Sequence, residues 1–507
     1  MESSFKIYIK PEIFDHLIYP ITTKLDDEKI ISLFRKLHIL SEIDFKIPMK
    51  EWIKNATEVG ITKTEATILF QTFKIYEGDQ PESTSTTKDR YGSSNTNKNS
   101  VDVRYFGLFF ALQSFSQRTK FSLKTDKTEK NPNFFSSPLS SPRGKTSNRL
   151  GTQGLDYQHI LNYIRANLKL FLRIIASDIH NTETTINAGE FNTLKFIFTI
   201  DDKKYPNFDK NKKNNSLANY LHCFDNLPPT TKINMNIINE FLISALSSSA
   251  PELPNYVAIK SLSKCVTIKS GNEYQNKNLL ISKCEDSYIY INTTVSNCKI
   301  SSCTNCTIVI AVASKIITIN GCEKCNICIV SNFTRISNMI DSNVYLFSVY
   351  EPIVYGDNRG LKLGPHNVTY NDLYVHLKES KLSITQNGLK HFSSPIYLNN
   401  INKESINIIK PEEFTTIVVP FDVKDSFKYL LTPKPYLENI QKRYNNYLNL
   451  QKMIKEAGFQ EGQEKAFHIA LQGYFREWLV TSGNYKPMND LVKLIDEPFG
   501  IGPLNSK

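Results

Sequence analysis

Cys303-x-x-Cys306, followed after fifteen residues by Cys322-x-x-Cys325, has the spacing of a four-thiolate zinc site. Four thiolates at tetrahedral corners would hold the ion in a closed, structural site. His366 and His376 are the other side chains with chemistry to offer, but no serine, cysteine or carboxylate motif accompanies them, so they read as surface or packing histidines. No glycine-rich loop of the Walker type occurs, which excludes a nucleotide hydrolase by motif. The N-terminus, MESSFKIYIKPEIF, lacks a basic segment followed by an apolar one, which predicts a cytoplasmic protein. In that reducing compartment the nine cysteines are expected as thiols or metal ligands.

The elements that must position these cysteines carry a repeat. Cys265, Cys284, Cys303 and Cys322 recur every 19 residues, as do Leu262, Ile281, Ile300 and Ile319. Ile289, Ile308 and Ile327 keep the period, so do Ile291, Ile310 and Ile329, and Met339, Val344 and Leu346 continue it after a two-residue contraction. Residues 255–347 alternate at period two with few helix signals, which predicts short strands. A repeat of this length without a helix is what a β-solenoid needs, each coil adding a rung about 4.8 Å from the last. The cysteines then form an inward ladder as small hydrophobes. This reading outweighs zinc, because the period runs back through Cys284 and Cys265 without a second cysteine and each pair leads into alternating isoleucines instead of a glycine knuckle. It assigns no metal and no cofactor. After Gly364, a helix over 371–378 is expected to cap one end.

Around the repeat the chain reads as helical. Thr62 and Glu65 make a capping box before Ile68, Leu69 and Phe73, and Ile30, Leu33, Phe34 and Leu37 repeat at three and four. Helix resumes over 105–115 and 156–175, where Asn167 is the single polar residue on a wide apolar face. Polar inserts at 83–100, 124–154 and 209–216 are too poor in apolar residues to offset the entropy of ordering, so they are expected to be disordered. Ser137 and Ser141, each before a proline, are candidate phosphorylation sites. The C-terminal third offers a strand over 414–420 and a helical hairpin. One hairpin face carries Ile440, Tyr444, Tyr447, Leu448 and Ile454, the other Phe467, Leu471, Tyr474 and Trp478. The chain thus divides at 1–250, 251–385 and 386–507, an α + β multidomain protein.

The 507 residues carry 61 basic and 50 acidic side chains, a net charge of +11 that favours an acidic partner. Basic residues are spread out and not interleaved with aromatics, which argues against nucleic acid. The most apolar stretches, 105–112 and 306–319, are too short or carry Lys315, so no membrane span is expected.

The coils Cys284-Glu-Asp-Ser-Tyr-Ile-Tyr-Ile, Cys303-Thr-Asn-Cys306-Thr-Ile-Val-Ile and Cys322-Glu-Lys-Cys325-Asn-Ile-Cys-Ile resemble those of the C-CAP/cofactor C-like domain of the tubulin-binding cofactor C (TBCC) family. The resemblance covers about 250–385. LKLGPHNVTYNDLYVHLKESKL (361–382), IIKPEEFTTIVVPF (408–421) and the Trp478 helix are similar to a longer-chained branch of the same family. It implies a right-handed parallel β-helix flanked by a helical N-terminal domain and a helical tail. The same resemblance implies a cytoskeletal interaction protein at the centrosome or microtubule-organising centre, including the spindle pole, with tubulin or an Arf-like GTPase as partner. In the cofactor C branch it also implies a GTPase-activating surface with an arginine finger, a device typically giving about 10³ to 10⁵ in rate. Its Gln-Gln-x-Arg pattern falls on Asn332-Phe333-Thr334-Arg335, which keeps the arginine and loses both glutamines. The alternative to a finger is a solvated Arg335 at a solenoid corner.

Overall fold

The computed structural model describes residues 6–19, 26–41, 45–77, 100–115, 152–176, 185–200, 231–248, 256–398, 406–417, 419–420 and 430–481. The three polar inserts lie almost entirely outside these residues, as do Ser137 and Ser141.

The N-terminal helices are α1 (Pro11–His16), α2 (Asp27–Leu40), α3 (Met49–Glu58), α4 (Lys63–Glu77), α5 (Val103–Leu112), α6 (Thr152–Ile175), α7 (Ala188–Phe191) and α8 (Met235–Ala245). Asp26 caps α2 by accepting from the Lys29 N–H at 2.8 Å, and Thr62 and Glu65 close the expected capping box before α4. The apolar helix α5 is buried on nearly every side, so it is the centre of the bundle. Trp52, Phe34 and Phe73 pack against its Phe106 in edge-to-face pairs, and the Trp52 Nε1–H donates to the Ala66 carbonyl at 2.8 Å. Gly107 is where α5 meets α6 most closely: a Cβ there would collide with Ile174. Asn167 is buried on α6, where its Nδ2 donates to the Tyr163 carbonyl at 2.6 Å. The antiparallel pairs β1 (Ile7–Ile9) with β5 (Phe198–Ile200), β2 (Lys46–Pro48) with β3 (Ser100–Asp102), and β4 (Thr185–Ile186) with β6 (Ile233–Asn234) tie the helical connections together.

The repeat forms a parallel β-solenoid with three ladders. One runs through β8 (Val266–Ser270), β10 (Tyr288–Val295), β12 (Thr307–Asn320), β13 (Asn326–Ser337), β14 (Asn343–Ser348), β16 (Leu361–Pro365) and β18 (Ile406–Ile408). Another runs through β7 (Tyr256–Lys260), β9 (Asn278–Ser282), β11 (Cys298–Ser301), the second halves of β12 and β13, β15 (Ile353–Tyr355) and β17 (Ile396–Tyr397). Strands β12 and β13 serve both because irregularities between Ile310 and Ile316 turn the chain around a corner. The third ladder is a column of single bridges, Ser263–Glu285–Thr304–Glu323–Ile340–Arg359.

Two columns of left-handed residues bend each coil on either side of that narrow face. One holds Ser261, Lys283, Ser302, Gly321 and Asn338, the other Lys264, Asp286, Asn305, Lys324, Asp341 and Gly360. Asn, Asp and Gly suit this conformation best, and at Gly360 a Cβ would also strike the Asp341 carboxylate. Ile289, Ile308, Ile327 and Val344 stack in register, as do Ile281, Ile300, Ile319 and Ile336, all fully buried. Each such side chain contributes about 1.5–3 kcal/mol by leaving water.

The first coil departs from the expected register. A turn over 271–276 lengthens it by three residues, so Ile259, not Leu262, pairs with Ile281, and Cys265 stacks beside Ser287 instead of Cys284. The helix α9 (Leu373–Glu379) is also placed differently. It lies along the flank against β10 and β12, burying Leu373 and Leu377, while the short strands β17 and β18 continue the ladders at the end. No strand forms over the described part of 414–420; Phe414 instead plugs the core beside Tyr345 and Tyr436. The last two helices, α10 (Lys434–Glu456) and α11 (Glu461–Thr481), form where the sequence places them, but their apolar stripes are largely exposed and not packed together as a hairpin would pack them. No described helix is long and apolar enough to cross a membrane.

Candidate functional site

The cysteine pairs are two adjacent columns of the solenoid. Leu262, Cys284, Cys303, Cys322 and Met339 form one, and Cys265, Ser287, Cys306, Cys325 and Ser342 the other. The CxxC spacing is therefore the distance across the narrow face between two inward positions. Cys303 donates to the Ser301 carbonyl at 3.5 Å, Cys306 to that of Thr304 at 3.3 Å, and Cys325 to that of Glu323 at 3.3 Å. Among the described residues no group of three or more His, Cys, Asp and Glu is arranged to hold a metal ion. Burial pushes the Cys298 thiol up, and holds that of Cys328 up to about 12, so these thiols stay protonated at neutral pH.

A second column, facing outward on the β9–β11–β12–β13–β15 ladder, carries the polar chemistry. Leu280, Lys299, Thr318, Arg335 and Ile353 share one register position on successive coils. The N-terminal segment runs along it. Asp15 binds the Lys299 ammonium at 2.6 Å, the His16 Nδ1 lies 3.2 Å from the Thr318 hydroxyl, and the Arg335 guanidinium donates to the His16 and Ile18 carbonyls, the latter at 2.5 Å. The same guanidinium lies 4.4 Å from the Tyr19 ring centroid and 5.5 Å from that of Tyr355, and donates to the Tyr355 hydroxyl at 3.1 Å.

Arg335 is thus neither solvated nor at an open corner; it is 3% exposed. Among the described residues no carboxylate pairs with it, so carbonyl dipoles and two aromatic faces hold the charge. Its Nε is buried with no hydrogen-bond partner in the structure. The neighbourhood disfavours a further cation: burial, reinforced by Lys299 and Arg335, pushes His16 down to about 3, against the pull of Asp15. Burial raises Tyr19 to about 12, so its ring faces the guanidinium as a neutral phenol.

The residues where the finger pattern has glutamines have other work. Asn332 donates to the Ser314 carbonyl at 2.6 Å, and Phe333 inserts with Ile316, Ile353 and Leu398 into the core of the helical domain. Lys315 completes the seam, its ammonium 3.3 Å from the Tyr76 carbonyl and 5.3 Å from the Tyr76 ring centroid. His366 is buried, and burial pushes it down to about 3, while the His376 Nδ1 lies 3.1 Å from the Tyr370 hydroxyl; neither has a catalytic companion among the described residues. Sequence reasoning missed Asp15, His16 and Tyr19. The signal available for their counterparts was the outward column itself, since Lys299, Thr318 and Arg335 follow the same 19- and 17-residue steps as the core.

The three-ladder solenoid with its inward cysteine columns is also where the likeness to known proteins falls. Residues 276–394 match the family model described as Tubulin binding cofactor C. That stretch is similar to a TBCC domain.

Arg335 and every rung from β9 to β16 lie inside it. The chain is also similar to proteins named TBCC domain-containing protein 1. It is 25% identical to that of Xenopus tropicalis over 246 residues, covering 48% of this chain and 44% of the relative. It is 21% identical to the human protein over 247 residues, 48% and 44% respectively, and 21% identical to that of Danio rerio over 255 residues, 48% and 42%. The chain therefore spans less than half the length of these relatives. Within the matched stretch, two faces are covered by the chain itself, one by the N-terminal helices and one by α9 and the segment around Phe414 and Tyr436. The narrow face stays open, presenting Glu285, Thr304, Arg359 and the left-handed corners to solvent.

Proposed function

We propose that this chain is a non-enzymatic cytoskeletal interaction protein whose TBCC domain binds a tubulin-type partner through the open face of the solenoid. It acts in the cytoplasm at the centrosome or microtubule-organising centre, including the spindle pole. The family description and the relatives' names support the tubulin-related part. The observation that carries the non-enzymatic part is the burial of Arg335: both its Nη groups are engaged by His16, Ile18 and Tyr355, and an arginine finger must reach a γ-phosphoryl group in trans.

The competing reading is a GTPase activator for an Arf-like GTPase or tubulin, in which residues 16–19 leave Arg335 when the partner arrives. Co-sedimentation with tubulin and single-turnover GTP hydrolysis, run on the same preparation, separate the two. Binding without stimulated hydrolysis, unchanged by Arg335→Ala, is the expected result. Strong stimulation that Arg335→Ala abolishes at unchanged affinity would replace this function with the activator.

A further inference from the structure

The helices α10 and α11 leave the body of the protein with their apolar stripes bare. Tyr436 roots α10, its hydroxyl donating to the Ile409 carbonyl at 2.6 Å and its ring set against Phe414 at 5.1 Å. Arg443 adds a bond to the Phe414 carbonyl at 2.5 Å. Beyond Arg443 almost every side chain of both helices is exposed. Phe459 at the joint stacks on Phe467 at 5.2 Å, yet the stripes past that contact are open. Tyr444 and Tyr447 are each 54% exposed, Tyr474 72% and Trp478 48%.

The spacing of these residues is that of a helix-bundle seam. Ile440, Tyr444, Tyr447, Gln451 and Ile454 recur at four and three, as do Phe467, Leu471, Tyr474 and Trp478. In proteins most of a helix's stability comes from packing an amphipathic face. Ile440 at the root of α10 packs against the solenoid core and Leu479 is buried near the end of α11, while the other stripe residues past that root are largely exposed.

We propose that the two stripes are the interface between two copies of this chain, α10 of one lying antiparallel on α11 of the other in a twofold four-helix arrangement. Two features favour a second copy. By sequence, α10 holds five basic and two acidic residues and α11 two basic and three acidic, so the crossed pairing sets helices of opposite charge balance side by side. Tyr444, Tyr447, Leu448, Leu471, Tyr474, Phe475 and Trp478, each two-fifths exposed or more, offer on the order of 800 Å² per chain, the area a stable interface takes from each partner. A self-complementary patch of that size needs no other protein.

Sedimentation equilibrium on the purified full chain at micromolar concentration is the test. A dimer is expected, and the double variant Tyr474→Glu with Trp478→Glu should be monomeric with an unchanged β signal by circular dichroism. A monomeric parent, or a dimer that survives the double variant, overturns the proposal. A photo-crosslinking residue at position 474, used in a mixture of isotopically light and heavy chains, should join 474 to 434–456 of the other copy. Crosslinks confined to one chain overturn it as well.

Discussion

Arg335 is the residue on which the account turns, because its guanidinium bridges two parts of the chain that are more than three hundred positions apart in sequence. Arg335→Ala strands the carbonyls of His16 and Ile18 in a dry seam, which should cost about 3 kcal/mol, read as a fall in the midpoint of chemical denaturation. Arg335→Lys should recover only part of this, since one ammonium cannot reach both carbonyls and stack on Tyr19. Equal midpoints for all three proteins would put the side chain in water. His16 sets a pH dependence of definite sign. Its folded pKa of about 3 lies below the ordinary 6.5, so between those values the unfolded chain binds more protons. The stabilisation is complete above pH 6.5 and fades as pH falls toward 3, by at most about 1.4 kcal/mol per unit. His366 acts in the same direction, so the check is the difference between parent and His16→Asn: the variant should show the flatter slope over that window. At this scale the sequence told which side chains point inward but not what an outward one meets. The pattern that marks Arg335 for register says nothing of His16 or Ile18, whose contribution is a backbone carbonyl.

Among the elements, the solenoid strands were the most legible, because a parallel ladder demands the same side chain type at the same place in every coil. Ile308 and Ile327 behave as that rule requires, and Ile308→Asp should cost several kcal/mol by setting an unpaired charge in the dry core. Thermal melting indistinguishable from the parent would refute the register. The first coil was misread for a physical reason: the turn at 271–276 inserts three residues, and Cys265 happens to stand 19 before Cys284, a coincidence of spacing that hides its true neighbour, Ser287. Since the CxxC pairs are inward positions on opposite sides of the narrow face, the purified chain should contain far less than one zinc per molecule and keep its β signal in chelator. One tightly held zinc per chain by elemental analysis would contradict that. The stretch 414–420 was misread because β-branched residues favour strands only where a sheet edge waits for them; here β18 has already taken the last rung and Phe414 packs as a plug.

For the molecule as a whole, the sequence marked out helical, repetitive and helical regions, and the boundary at 385 proved the least physical, because β17 and β18 beyond it belong to the solenoid. How the regions meet could not be read, since no periodicity links 6–19 to a column of residues three coils long. The central claim is that this column docks the N-terminal segment and so keeps Arg335 from any partner. Hydrogen exchange by mass spectrometry over residues 11–19 tests it most directly. The account predicts strong protection of 11–19 in the parent protein, lost in Arg335→Ala while 308–311 stays protected. Free exchange of 11–19 in the parent, or protection that Arg335→Ala leaves untouched, would contradict it.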